Sequence, residues 1–333
     1  MIFIDYLQTH TGVFIAWSAL LGILIGSFLN VVIVRLPIMM MRDWREQCAG
    51  LCREWGSELA GGESPTKAQA ELGSRSETAG EGVDDEPFNL MVPRSHCPHC
   101  GHTLSVMENI PLIGYLLLRG RCAACALPIC PRYPFVELLS GVLAGVVAWR
   151  LGFGIPVAFA LIFTWALIAL AFIDFEHQQL PDDITLPLLW LGLAINLFSV
   201  YASLADAVIG AIAGYGILWV VYHIFRLLTG KEGMGHGDFK LLAMVGAWLG
   251  WQALPAVILL SSIMGAMIGI ALILLRGHDR NVPIPFGPYI AIAAWIALLW
   301  GDFSDTVLGF YAQNGWVLNM GAGLDTLLSL VYL

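Results

Sequence analysis

Continuous apolar runs dominate the chain after its first ten residues, and they do not alternate with polar positions. The first covers 11–36 and contains "GILIGSFLNVVIVRLP"; a largely polar stretch then occupies 37–134. Seven further runs follow in close succession, at 135–151, 156–173, 185–201, 206–228, 239–253, 255–275 and 284–300. A helix needs ~20 apolar residues to cross ~30 Å of hydrocarbon, and several of these runs approach or exceed that length. Leucine-rich runs without a period of two favour helices over barrel strands. Backbone groups inside a bilayer have no water to bond, which also demands helices or a closed barrel. The pattern predicts an all-α polytopic membrane protein with about eight transmembrane helices and a small cytoplasmic domain between the first two. The sixth and seventh runs are divided only at 251–255.

Composition agrees with this class. The 333 residues are 58% hydrophobic and 12% charged, where a soluble domain carries about a quarter charged residues. The opening "MIFIDYLQTH" has no Lys or Arg, so it lacks the basic region of a cleavable signal peptide, and a retained helix is expected. The net charge of −9 lies largely in the polar stretch and points to no nucleic-acid partner.

Lys and Arg set the expected orientation. Ten of the sixteen fall within 35–132. Arg226, Lys231, Lys240, Arg276 and Arg280 flank two later loops. With eight spans, all of these share one side and only Arg150 lies opposite. That side is read as cytoplasmic, with both termini outside.

The expected domains are a first transmembrane helix at 1–36, a cytoplasmic domain at 37–134, a membrane domain at 135–301 and a C-terminal tail at 302–333. Within the polar domain, 56–86 is small, polar and acidic, too poor in large apolar side chains to offset ordering entropy. It reads as a disordered insert. Residues 95–132 differ. Cys97-x-x-Cys100 is followed by Cys122-x-x-Cys125. Two such pairs separated by ~20 residues suit a four-thiolate zinc site. Gly101 and Gly120 would ease the turns. A reducing cytoplasmic face disfavours disulfides, and a thiol redox role is the alternative. With four thiolates available, His96, His99 and His102 are not needed as ligands. Cys130 is spare, and Cys48 and Cys52 fall in a predicted helix as buried or unliganded thiols. Asn30, in the first span, needs a polar partner, whereas Gly22, Gly26 and Ser27 suit close helix contact.

Acidic residues at membrane depth are costly and mark function by default. Asp174 ends the span "ALIFTWALIALAFID", and Asp238 begins the span after "GMGHG". Both fall at the expected cytoplasmic boundary. Two predicted helices between them can bring them face to face. Paired aspartates share a proton: one activates water and the other donates to a scissile carbonyl, which is aspartic peptide hydrolysis. The competing reading makes them interfacial residues that cap helices or pair with Lys231 and Lys240. Asp182 and Asp183 follow in "LPDD", where Pro181 and Asp182 suggest a turn and helix N-cap. His177 and His236 read as exposed neighbours of the aspartates.

The chain resembles the type IV prepilin peptidases. The likeness runs through "GSFLNVVIVRLP", the double CxxC with "ENIPLIGYLLLRGRC", "FIDFEHQQLPDDITLPLLWLGLAINL", "GKEGMGHGDFKLLAMVGAWLGW" and "PIPFGPYIAIAAWIALLWG". It covers most of the chain outside 42–90. This resemblance implies an intramembrane aspartic endopeptidase with a G-x-G-D motif, its catalytic pair falling on Asp174 and Asp238. It implies prepilin and pseudopilin substrates, cut after glycine at the cytoplasmic face of the bacterial inner membrane, for pilus or type II secretion machinery. It also implies N-methylation of the new N-terminus, commonly Phe, by S-adenosylmethionine, with the four cysteines on zinc and Gly120 and Arg121 in a stretch tied to methyl transfer. No G-x-G-x-x-G loop marks a cofactor domain, so methyl transfer rests on the resemblance. From the residues alone, a proton- or cation-coupled transporter, a membrane thiol oxidoreductase and an assembly scaffold are the other classes. The glycines of "GMGHG" are expected to admit a substrate backbone.

Overall fold

The computed structural model describes residues 2–59, 88–230, 234–276 and 285–301. Among these, regular structure is helical apart from two isolated β-bridges. The helices are α1 (Ile2–Thr9), α2 (Thr11–Leu59), α3 (Ile113–Leu117), α4 (Arg132–Leu151), α5 (Ile155–His177), α6 (Asp182–Asn196), α7 (Leu204–Thr229), α8 (His236–Leu249), α9 (Leu254–Arg276) and α10 (Gly287–Leu299). A 3-10 turn, Trp251–Ala253, separates α8 from α9, at the break expected within 251–255.

Each of the eight apolar runs has a helix. Five helical stretches among the described residues are long and apolar enough to cross a membrane: Thr11–Cys52, Arg132–Leu151, Ile155–His177, Leu204–Thr229 and Trp251–Leu272. The other three runs form shorter helices of 15, 14 and 13 residues: α6, α8 and α10. The first run does not end at Leu36. It forms the beginning of a 49-residue helix that passes through Pro37. One internal proline removes one intrahelical hydrogen bond, and the apolar Ile38–Met41 side of this boundary continues the helix into "RDWREQCAGLCREWGSEL". The rest of the acidic insert expected at 56–86 and the tail at 302–333 lie outside the described residues.

The chain divides into two compact units, Ile23–Leu139 and Met1–Gly22 with Ser140–Leu333. In the first, Asn30 finds its partners: its amide donates to the Gly26 and Tyr133 carbonyls at 3.3 and 3.0 Å. Arg35 donates to the Asn89 and Pro93 carbonyls, and Arg42 stacks over the Phe88 ring. The buried Glu137 accepts the Leu112 N–H at 2.8 Å just before α3.

In the second unit, α8 is the most enclosed helix. Phe239, Leu241, Met244, Val245, Ala247 and Trp248 have no exposed surface. It packs against α6, α7 and α10. Small residues permit the approach of α7: a Cβ on Gly214 would stand 2.5 Å from the Leu242 carbonyl oxygen, and Gly210 faces the Gly246 backbone equally closely. Such contacts replace the hydrophobic driving force that lipid-embedded helices lack. On the other side, Trp248 donates to the Leu188 carbonyl at 2.7 Å and stacks on Phe163. Asn196 donates to the Ala247 and Trp248 carbonyls at the end of α8 and accepts the Tyr201 and Ala202 N–H groups. Asn196 thereby satisfies two of the carbonyls that the helix end leaves without an intrahelical partner.

Candidate active site and metal centre

Asp174 lies one turn before the C-terminus of α5, which closes at the left-handed Gln178; its peptide N–H returns to the Asp174 carbonyl. Asp174 follows the buried Leu167, Leu170 and Ile173 on the core-facing side of α5, which carries it inward, to 5% exposure. Asp238 is the third residue of α8 and is 7% exposed. The two carboxyl groups are within electrostatic reach of each other. Helix α10 packs against both α5 and α8. Its first residue, Gly287, donates its N–H to Asp174 Oδ2 at 2.9 Å. Two buried acids within electrostatic reach, with no basic partner among the described residues, suit shared-proton chemistry better than surface solvation.

Several expectations change here. Asp238 does not cap α8; Gly235 occupies the cap position without a side-chain bond. A residue three positions further in lies on the buried stripe next to Phe239, and its carboxyl turns to the core. Asp182 is likewise not a cap: Pro181 precedes it, and Asp182 is the first helical residue. Lys240 bonds not Asp238 but Asp182, with Nζ at 2.8 and 2.7 Å from its two oxygens. Asp183, His177 and His236 are exposed; the His236 ring also lies against Tyr222 and Phe239. Gly237 leaves room for Leu180 rather than for a ligand, since a Cβ there would stand 2.8 Å from Leu180 Cβ. Gly235 has open space around it. Gly233 and Lys231 lie outside the described residues.

Gly287 had no role in the sequence reading, although "PIPFGPY" was one of its quoted motifs. Its contact is made by a backbone N–H, which no side-chain pattern reveals. The available signal was a glycine flanked by Phe and Pro at the mouth of an apolar run.

The four cysteines form one cluster. Their Sγ atoms all lie within 4.8 Å of one another, with Cys97–Cys125 and Cys100–Cys122 at 3.9 Å. Four thiolates around zinc at ≈ 2.3 Å stand roughly 3.8 Å apart, so this donor set fits the ion. The two knuckles repeat each other. Cys97 N–H donates to the His102 carbonyl and Cys122 N–H to that of Leu127; Gly101 and Ala126 N–H groups return to Cys97 and Cys122. Bridges His96–Thr103 and Arg121–Pro128 close the two turns. Gly101 has φ +71°, as expected, but the matching residue of the second knuckle is Ala126 at +57°. Gly120, at +70°, precedes that turn, where a Cβ would stand 2.9 Å from Tyr115 Oη. Backbone N–H groups of His99 and Cys100 lower the Cys97 thiol to about 7, and those of Cys125 and Ala124 lower Cys122. Cys100 is pushed the other way, to about 11, by burial and the neighbouring thiols, so the unliganded cluster ionises at some of its sulfurs first and a cation is needed to hold all four as thiolates. His102 turns instead to Glu108, 3.4 Å away. Cys48, Cys52 and Cys130 are free and exposed. Arg121 is exposed beside Gly120.

Several membrane-length helices, a buried aspartate pair and a four-cysteine cluster define a helical membrane protein with two groups of chemically capable side chains. Comparison with known proteins narrows the class. Residues 20–151 match the Bacterial Peptidase A24 N-terminal domain and residues 161–270 match the Type IV leader peptidase family. The prepilin leader peptidase/N-methyltransferase of Aeromonas hydrophila is 57% identical over 295 residues, covering 89% of this chain and 92% of that protein. Those of Stutzerimonas stutzeri and Pseudomonas aeruginosa are 51% and 50% identical, each covering 90% of this chain and 95% and 94% of their own lengths. The chain belongs to the type IV leader peptidase family. No solved structure matches it.

Proposed function

We propose that the protein is an intramembrane aspartic endopeptidase that removes the leader of type IV prepilins and pseudopilins and then N-methylates the new N-terminal residue. The observation that carries the peptidase reading is the pair of buried aspartates, Asp174 and Asp238, within electrostatic reach of each other. The names of the relatives support both activities.

In this mechanism the dyad holds one proton. The ionised aspartate takes a proton from a water molecule as the water oxygen attacks the scissile carbonyl carbon. The protonated aspartate gives its proton to the carbonyl oxygen. The tetrahedral intermediate then collapses: the amine nitrogen takes the proton from one aspartate, the C–N bond breaks, and a gem-diol hydroxyl passes its proton to the other aspartate, which restores the singly protonated dyad. Neither step needs a nucleophilic side chain.

All eight apolar helices cross the bacterial inner membrane in this reading, and the Lys and Arg distribution puts the aspartates and the 37–134 domain on the cytoplasmic side. A substrate with a polar leader and an apolar helix beyond it then presents its cut site at the membrane boundary. The open space around Gly235 is on the approach to Asp238 along the chain. Pilus and type II secretion assemblies are the consumers of such products.

Cys97, Cys100, Cys122 and Cys125 would hold zinc, which supplies a structural cross-link to the two knuckles. S-adenosylmethionine, when bound, supplies an electrophilic methyl group for the freed amine. Gly120 and Arg121 belong to that half of the activity by family resemblance. The test is the mass of the N-terminal fragment after purified protein acts on a prepilin peptide with S-adenosylmethionine present. The expected product has lost its leader and gained one methyl; an intact peptide contradicts the proposal, and a cleaved, unmethylated product removes its second half.

A further inference from the structure

One oxygen of Asp174 is engaged before any substrate arrives. The Gly287 N–H donates to Oδ2 at 2.9 Å in a buried setting. Gly287 opens α10, and Pro288 follows in the first turn. The first N–H groups of a helix have no partner within it, so this one is available to a carboxylate. The glycine itself is required by space. A Cβ at 287 would stand 2.6 Å from Asp174 Oδ2 and 3.1 Å from Cγ. Any side chain there has to displace the carboxyl group. Asp238, by contrast, accepts no hydrogen bond to its side chain among the described residues.

The position of Asp174 makes this contact consequential. The residue sits in the last turn of α5, and its carboxyl group has two rotatable bonds. The N–H of a third helix removes that freedom and leaves Oδ1 as the oxygen without a hydrogen bond among the described residues. Because α10 also packs against α8, the same helix start relates Asp174 to the helix that carries Asp238. Catalytic groups displaced by as little as 1 Å can lose about 100-fold in rate.

We infer that Gly287 is a positioning residue of the leader-cleaving site: its backbone N–H fixes Asp174 Oδ2, and its missing side chain provides the space in which that carboxyl group stands. The inference rests on the aspartate reading given above.

The test uses the full chain in detergent, a prepilin peptide, and separate assays of cleavage and of methyl transfer to a pre-cleaved peptide. Gly287→Ala is expected to lower kcat for cleavage about 100-fold, with KM within about twofold and methyl transfer retained. Replacing Gly287 by glycolic acid turns its amide into an ester, which deletes the N–H and adds no atom. That variant is expected to lose about tenfold or more in kcat, the scale of a hydrogen bond to a charged group, again with KM held. The ester variant decides the matter if the alanine variant does not fold. Wild-type kcat in the ester variant, or a loss confined to KM, overturns the inference. Asp174→Asn is assayed alongside. If it cleaves normally, the aspartate reading itself fails; if it is inactive while the ester variant is fully active, only the role of Gly287 fails.

Discussion

Lys240 Nζ lies 2.8 and 2.7 Å from the two carboxyl oxygens of Asp182. The pair joins the start of α6 to α8 two residues beyond Asp238, and it lies beside the Leu180–Gly237 contact. It holds Lys240 on Asp182, so Asp238 has no basic partner of its own among the described residues.

The side chains of this pair are one-third and one-half exposed, so its contribution is small. Exposed ion pairs are worth about 0–1 kcal/mol and are screened by salt. Asp182→Asn is therefore expected to reduce kcat/KM for cleavage by at most about fivefold, with the difference from wild type shrinking at high ionic strength. Steady-state kinetics at low and high salt check this. A complete loss of cleavage would instead place Asp182 in the catalytic machinery.

The α7–α8 contact depends on particular glycines. A Cβ on Gly214 would meet the Leu242 backbone, which cannot rotate away, whereas a Cβ on Gly216 would have open space. Gly214→Ala is expected to destabilise by about 1–3 kcal/mol, the cost of overpacking. Gly216→Ala is expected to change stability by no more than about 1 kcal/mol. Thermal unfolding in detergent separates the two, and equal effects would contradict the packing described.

The apolar runs made the helices legible because a run of that length has few other solutions in lipid. Their ends were less so. The first helix was expected to end at Leu36, yet α2 continues through Pro37 to Leu59, because one lost hydrogen bond is small beside the helix on both sides. The four cysteines could be read from spacing, since each CxxC makes a local turn; Ala126 could not, because a left-handed alanine has no composition signature. Asp174 and Asp238 were visible as acids at the ends of apolar runs. The contacts around them were not. Lys240–Asp182, Leu180–Gly237 and Gly287–Asp174 join distant parts of the chain, and the last involves only a backbone donor on one side.

The cysteine cluster carries a metal prediction. One zinc per chain is expected by elemental analysis, lost in the Cys97→Ser/Cys122→Ser variant. Metal binds thiolates, so protons compete. Backbone N–H groups hold the Cys97 thiol down at about 7 while burial and neighbouring thiols push Cys100 up to about 11, so ligation has to displace protons throughout this range; zinc affinity is expected to fall as pH drops from 8 to 6, by about tenfold per pH unit for each thiol that must lose a proton. Affinity that is flat across this range would contradict thiolate ligation. In the double variant, methyl transfer is expected to fall further than cleavage, which assays of the two products resolve.

The central claim is that Asp174 and Asp238 carry out cleavage together. The direct measurement is leader removal from a prepilin peptide by purified, folded, metal-loaded Asp174→Asn and Asp238→Asn proteins. Asparagine keeps the shape of each side chain and removes its proton transfer, so each variant is expected to lose cleavage while still methylating a pre-cleaved peptide. Cleavage at the wild-type rate by either variant would contradict the account.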